Sequence, residues 1–176
     1  MNDLLRKLPI GIQTFEKLRK GDYLYVDKTE LVWKIAYTST PYFLSRPRRF
    51  GKSLLLSTFE AYFEGKKELF EGLTIAELEK EWKKYPVLHL DLNAEKYDSP
   101  QALVEILSRH LTQWEVKYGK GEDEETLSGR FAGVIRRASE QTGCGVVVLV
   151  DEYDKPLLQA LGNDSLLDDY RKTLKA

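Results

Sequence analysis

The chain has 176 residues, 42% of them hydrophobic and 31% charged, with a formal net charge of −1. That length suggests one domain with a sizeable core, and the balanced charge excludes a global basic field for nucleic acid. Cys144 is the only cysteine, which excludes an intrachain disulfide and a cysteine-built zinc site and fits a reducing cytoplasm.

The first twenty residues are charged and amphipathic and lack the apolar stretch of a secretion signal. No apolar run approaches the roughly 18–20 residues needed to span a membrane. Thr14 is placed to cap a short helix beginning Phe15-Glu16-Lys17-Leu18, and Gly21 to end it. Asp22-Tyr23-Leu24-Tyr25-Val26 has strand composition. Thr29 can cap a helix with Leu31, Val32, Ile35 and Ala36 on its apolar side. Pro41 to Leu44 reads as a short strand.

A helix is expected from Ser53 to about Glu64, its apolar face supplied by Leu55, Leu56, Phe59, Tyr62 and Phe63. Thr74 with Glu77 reads as a capping box opening a helix that buries Leu78 and Trp82. Val87 to Leu92 reads as a second strand. Ser99-Pro100 is a helix start, followed by Leu103, Ile106, Leu107, Leu111 and Trp114 at helical spacing. Leu127, Phe131, Val134, Ile135 and Ala138 mark a further helix ending near Gly143. Val146 to Val150 is continuous and largely β-branched, so both its faces should be covered, as in a parallel sheet between helices. Strands alternating with helices give an α/β fold. The chain stops at Leu174-Lys175-Ala176, inside what reads as an unfinished helix, so a continuation is expected.

Two stretches carry chemistry. Gly51-Lys52-Ser53 lies between the apolar run Tyr42-Phe43-Leu44 and a helix. Strand, tight loop and helix make a phosphate cradle: backbone N–H groups and the helix N-terminus face the anion, and a lysine adds a point charge. The usual pattern is G-x-x-x-x-G-K-[ST]; Arg46 stands where its first glycine would be, so the match is partial. The second stretch, Asp151-Glu152, ends the valine run, where ligands bind in open α/β sheets. The alternative for this pair is a solvated turn.

Taken together, the two stretches point to a P-loop nucleotide site. Lys52 would neutralise the β- and γ-phosphates, while Ser53 and Asp151 would hold Mg²⁺. Glu152 would orient or deprotonate the attacking water. Arg48, Arg49, Phe50, Gly51, Lys52, Ser53 and Leu54 form the expected nucleotide-binding loop. Arg46, Arg48 and Arg49 are either phosphate or interface contacts or exposed loop charges. His89, His110 and Cys144 read as structural.

The run Arg46-Pro47-Arg48-Arg49-Phe50-Gly51-Lys52-Ser53-Leu54 resembles the modified P-loop of the bacterial and archaeal AAA-ATPase-like family. Four further stretches agree in order: Pro9 to Gln13 with Phe15, Tyr25 to Thr29, Tyr85-Pro86-Val87, and Leu149 to Pro156. The likeness covers essentially the whole chain. It accounts for Arg46, since that family's loop opens Arg-Pro-Arg-Arg.

The resemblance implies an AAA-like P-loop sandwich of the ASCE type, a mainly parallel three-layer fold that binds ATP and Mg²⁺. It divides residues 1–176 into an N-terminal segment, 1–40, and a P-loop core, 41–176. In such sheets a strand after the Asp-Glu strand inserts beside the P-loop strand, and this chain is expected to stop before it. Many members carry a C-terminal nuclease-like domain, and many AAA-like proteins assemble so that one subunit's arginine completes the next one's site. The expected activity is ATP hydrolysis. The alternative is a nucleotide-dependent switch with little turnover.

Overall fold

The computed structural model describes residues 6–38, 40–45, 47, 49–93 and 96–175. They form two compact units, Met1–Tyr85 and Pro86–Ala176, and each is built by its own logic.

The first unit contains α1 (Phe15–Lys20), α2 (Thr29–Thr38), α3 (Lys52–Phe63), a 3₁₀ turn at Lys67–Phe70 and α4 (Thr74–Leu78). Its core is aromatic. Phe15 and Phe70 are fully buried, with ring centroids 4.8 Å apart, and Trp82 lies 5.1 Å from Phe70. Tyr25 closes edge-on against Phe15 at 5.3 Å.

One carboxylate organises the polar side of this unit. Asp27 Oδ1 accepts hydrogen bonds from the Thr29 N–H (2.8 Å) and hydroxyl (2.7 Å). Its Oδ2 accepts from the Thr74 N–H (2.7 Å) and hydroxyl (2.8 Å). The Thr29 hydroxyl in turn accepts from Ile75 N–H at 3.1 Å. Asp27 thereby satisfies orphan donors at the starts of both α2 and α4. Partial burial pushes its carboxyl up, but the bonds from Thr74 and Thr29 outweigh that and hold it below the usual carboxylate range.

Several sequence expectations are corrected here. Thr14 occupies the N-cap position of α1, but its side chain makes no capping bond; the Phe15 N–H donates instead to Ser57 Oγ at 2.8 Å. Thr29 and Thr74 are first helical residues, not caps, because Asp27 takes the capping role. On α2, Val32 is buried but Leu31 is half exposed. The helix after Thr74 is a single short turn that buries Ile75; Leu78 is largely open and Trp82 falls beyond it with a left-handed backbone (φ 46°).

Neither predicted strand of this unit forms. Residues 22–26 contribute only an isolated parallel bridge among the described residues, Lys7 to Tyr23, and Asp22 at the head of the run is left-handed (φ 49°). Residues 41–44 pair with no strand among the described residues, and Pro41 lacks the N–H a ladder needs. Tyr42, Phe43 and Leu44 stand exposed there.

The second unit contains β1 (Val87–Asp91), α5 (Pro100–Tyr118), α6 (Leu127–Thr142), β2 (Val147–Asp151), α7 (Lys155–Gln159) and α8 (Asp164–Lys175). β1 and β2 pair in parallel, with Val87 opposite Val147 and Asp91 opposite Asp151. The helices between them supply the crossover a parallel pair requires. Leu88 packs with Tyr118, Val134 and Ala138. Leu92, Leu103, Ile106, Leu166 and Tyr170 form a second apolar cluster.

Ion pairs clasp α6 to its surroundings. Arg130 grips Glu115 on α5 with two bonds, at 2.7 and 2.8 Å. Arg137 grips Glu124 the same way, at 2.5 and 2.8 Å, and that bonding holds the Glu124 carboxyl down at about 2. Thr126 caps α6 by accepting from Gly129 N–H, and Gly143 ends it in the left-handed conformation (φ 64°) that glycine adopts freely.

The fully covered valine run is also corrected. Leu149 and Asp151 are buried, but Val148 and Val150 are each 40% exposed, so β2 alternates like a strand with one open face. Beyond β2 the chain is helical, and no further strand occurs among the described residues. The α/β class with a small parallel sheet is observed. No helix among the described residues is long and apolar enough to cross a membrane.

Candidate functional site

The glycine-lysine loop belongs to the first unit. Gly51 is the N-cap residue of α3, with a left-handed backbone (φ 75°, ψ 24°). Arg49 is left-handed as well (φ 68°), and Phe50 between them is not. Left-handed residues recurring within a tight loop are a feature of backbone anion-binding concavities. An L side chain at residue 51 would be strained by the positive φ, while the space around it is open.

The first bond of α3 runs from Leu55 N–H to Gly51 O at 2.9 Å. The N–H groups of Lys52, Ser53 and Leu54 therefore precede the helical ladder. No acidic residue occupies the first turn of α3, so nothing there competes with an anion for the positive end of the helix. Lys52, Ser53 and Leu54 are half-buried, while Arg49 and Phe50 are exposed. Arg46 and Arg48 lie outside the described residues.

The acidic pair belongs to the second unit. Asp151 ends β2, is 7% exposed, and its Oδ1 accepts from the Glu152 N–H at 2.9 Å. Glu152 comes next with a left-handed backbone (φ 52°), an unfavourable conformation for a non-glycine residue. This bend turns the chain off the strand at the C-terminal end of the sheet, the end at which open α/β sheets bind ligands.

Sequence reasoning missed Asp91. It ends β1 in register with Asp151, so two aspartates finish adjacent parallel strands side by side. Asp91 Oδ1 accepts from Asn93 N–H at 2.8 Å. Leu92 N–H donates to Asp151 O at 3.1 Å, and Lys155 Nζ donates to both the carbonyl and, at 3.0 Å, the Oδ1 of Asn93. The loops leaving β1 and β2 are thus tied together. The signal was present: each apolar run, Val87 to Leu90 and Val147 to Val150, ends in an aspartate. Among the described residues no three or more His, Cys, Asp or Glu cluster as a protein-only metal cage. Mg²⁺ bound with a nucleotide needs only one or two carboxylates beside phosphate and water.

His110 lies on α5 with Nε2 3.3 Å from Asp91 O. Cys144 is half-buried with a free thiol.

These features define an α/β protein with a small parallel sheet, a helix opened by a left-handed glycine before lysine and serine, and a strand closed by an acidic pair. The sequence profile of the AAA-ATPase-like family, described as predicted AAA-ATPase, matches residues 9–176, and the chain belongs to that family. It is 42% identical over 171 residues to a protein of Azotobacter chroococcum mcd 1 described as "Uncharacterized protein in vnfD 5'region". That match covers 97% of this chain and 33% of the relative, so the chain spans about a third of the relative's length. No solved structure matches the chain.

Proposed function

We propose that this chain is an ATP-binding domain that hydrolyses ATP with Mg²⁺. The observation that carries the reading is the start of α3: a left-handed glycine followed by Lys52 and Ser53, with three N–H groups ahead of the helical ladder and no acid in the first turn. Membership in a family described as predicted AAA-ATPase supports it. The N–H groups of Arg49 to Leu54 line the phosphates, and Arg48 belongs to the same loop by sequence. Lys52 neutralises the charge of the terminal ones. By the motif pattern, Ser53 Oγ and the Asp151 carboxylate would be the protein's donors for Mg²⁺, which would supply charge neutralisation to the phosphates. Glu152 accepts a proton from the attacking water or orients it.

Glu152→Gln provides the test. Phosphate release should fall at least a hundredfold, within the range for losing a general base (about 10²–10⁴), while Mg·ATP affinity changes by less than threefold. Unchanged phosphate release in the variant would remove Glu152 from the chemistry.

A second reading is a nucleotide-dependent switch with little turnover, acting on another part of a longer protein. The relative that extends well beyond the matched segment favours it. Tight Mg·ATP binding with negligible phosphate release in the wild type selects the switch over the enzyme.

A further inference from the structure

The first unit carries a groove of about 820 Å³ between α1 with its lead-in and α3. Ser57, Glu60 and Ala61 line it from α3, and Ile12, Thr14 and Tyr23 from the other side. With about 3.6 residues per turn, Ser53, Ser57, Glu60 and Ala61 fall on one stripe of the helix. On α3 the lining of the groove begins at Ser57, about one turn beyond Ser53 on that stripe. At a rise of about 1.5 Å per residue, Ser57 lies ~6 Å and Ala61 ~12 Å beyond Ser53 along the axis. That span is comparable with the reach from the terminal phosphates of a nucleotide to its base.

The walls are built, not incidental. Ser57 Oγ accepts from Phe15 N–H (2.8 Å) and donates to Leu54 O (2.9 Å), fastening the lead-in of α1 against α3. A Cβ on Gly21 would meet Tyr23 Cε2 at 2.3 Å, so the tyrosine ring fills the space glycine leaves. Tyr23 N–H donates to Leu18 O at 3.1 Å, which fixes the ring's base. On the rim, Glu16 pairs with Lys20 (2.5 Å) and Lys66 (3.2 Å). Lys17 and Glu60 also line the groove, so lysines and glutamates are interspersed along it. The volume lies within the range of small-ligand sites, about 300–1,000 Å³.

We propose that this groove receives the base and ribose of the nucleotide, with the base against the Tyr23 ring, while Gly51 to Ser53 hold its phosphates. The proposal rests on the phosphate-loop reading above. Its test compares Mg·ATP with Mg·tripolyphosphate, which has the phosphates but no nucleoside, by calorimetric titration of the full-length protein. Two variants change the groove: Thr14→Trp fills it from an exposed position, and Tyr23→Leu removes the ring.

Thr14→Trp should weaken Mg·ATP binding at least tenfold. Tyr23→Leu should weaken it about fivefold or more, the low end of what one base–aromatic stack contributes. Both should leave tripolyphosphate affinity unchanged, and circular dichroism should show the wild-type helix content. Unchanged ATP affinity in both variants, or equal losses for both ligands, overturns the groove assignment while leaving the phosphate loop standing. A wild-type protein that binds neither ligand overturns both.

Discussion

The two units solve the same polar problem differently. In Met1–Tyr85 a single carboxylate, Asp27, terminates two helices from a partly exposed position, and the core beside it is a knot of rings around Phe70. In Pro86–Ala176 two arginines on α6 each grip a glutamate with two bonds, and the core is aliphatic packing around a parallel strand pair. The first unit concentrates its polar connections on one residue. The second distributes them. A unit of the first kind should fail at one place, and a unit of the second kind by increments.

The largest effects should come from the cores. Phe70→Ala should cost about 3–5 kcal/mol and Leu88→Ala about 2–5 kcal/mol, since both side chains are fully buried. Urea unfolding followed through single-tryptophan proteins, keeping Trp82 for the first unit or Trp114 for the second, assigns each loss. Phe70→Ala should shift the Trp82 transition most, and Leu88→Ala that of Trp114. Equal shifts at both probes for either substitution would mean that the units unfold as one and would break the comparison.

Next come the clasps. Glu115→Ala leaves Arg130, 12% exposed in its side chain, without its carboxylate. A cost of about 3 kcal/mol is expected, the low end for breaking a buried pair, and urea midpoints measure it. Asp27→Ala removes caps from two helix starts at about 1 kcal/mol each, or ~2 kcal/mol in all.

The same carboxylate gives the first unit a pH dependence. Its folded value is depressed below the ordinary one. Its contribution is therefore complete above the unfolded carboxylate range, near pH ~4, and is lost as pH falls through the lowered folded value. Melting temperatures of wild type and Asp27→Ala should converge on acidification. A gap that stayed constant down to pH ~2 would remove Asp27 from the linkage.

How much was legible divides along the same line. In the second unit, Leu103, Ile106 and Leu111 recur at helical spacing and are buried on α5, and Val147 to Val150 reads as a parallel strand and is one. There, pattern and packing coincide. In the first unit, Tyr42-Phe43-Leu44 and Leu24 to Val26 have strand composition yet find no ladder, because composition cannot state whether a partner strand exists. Asp27 was invisible for a related reason: it caps α4 from 47 residues away, and local capping rules assigned that work to Thr74 and Glu77. The turn at Gly51 was legible because its geometry is local, requiring only a glycine free to turn left-handed at a helix start. Asp91 was overlooked because its relation to Asp151 depends on register between distant strands.

We propose that Gly51-Lys52-Ser53 holds the phosphates of ATP. Isothermal titration of Mg·ATP into wild type and Lys52→Ala, each checked for folding by its melting curve, tests it most directly. Wild type should give a saturable isotherm, and the folded variant at least a hundredfold weaker binding. Equal affinity in the two proteins would contradict it.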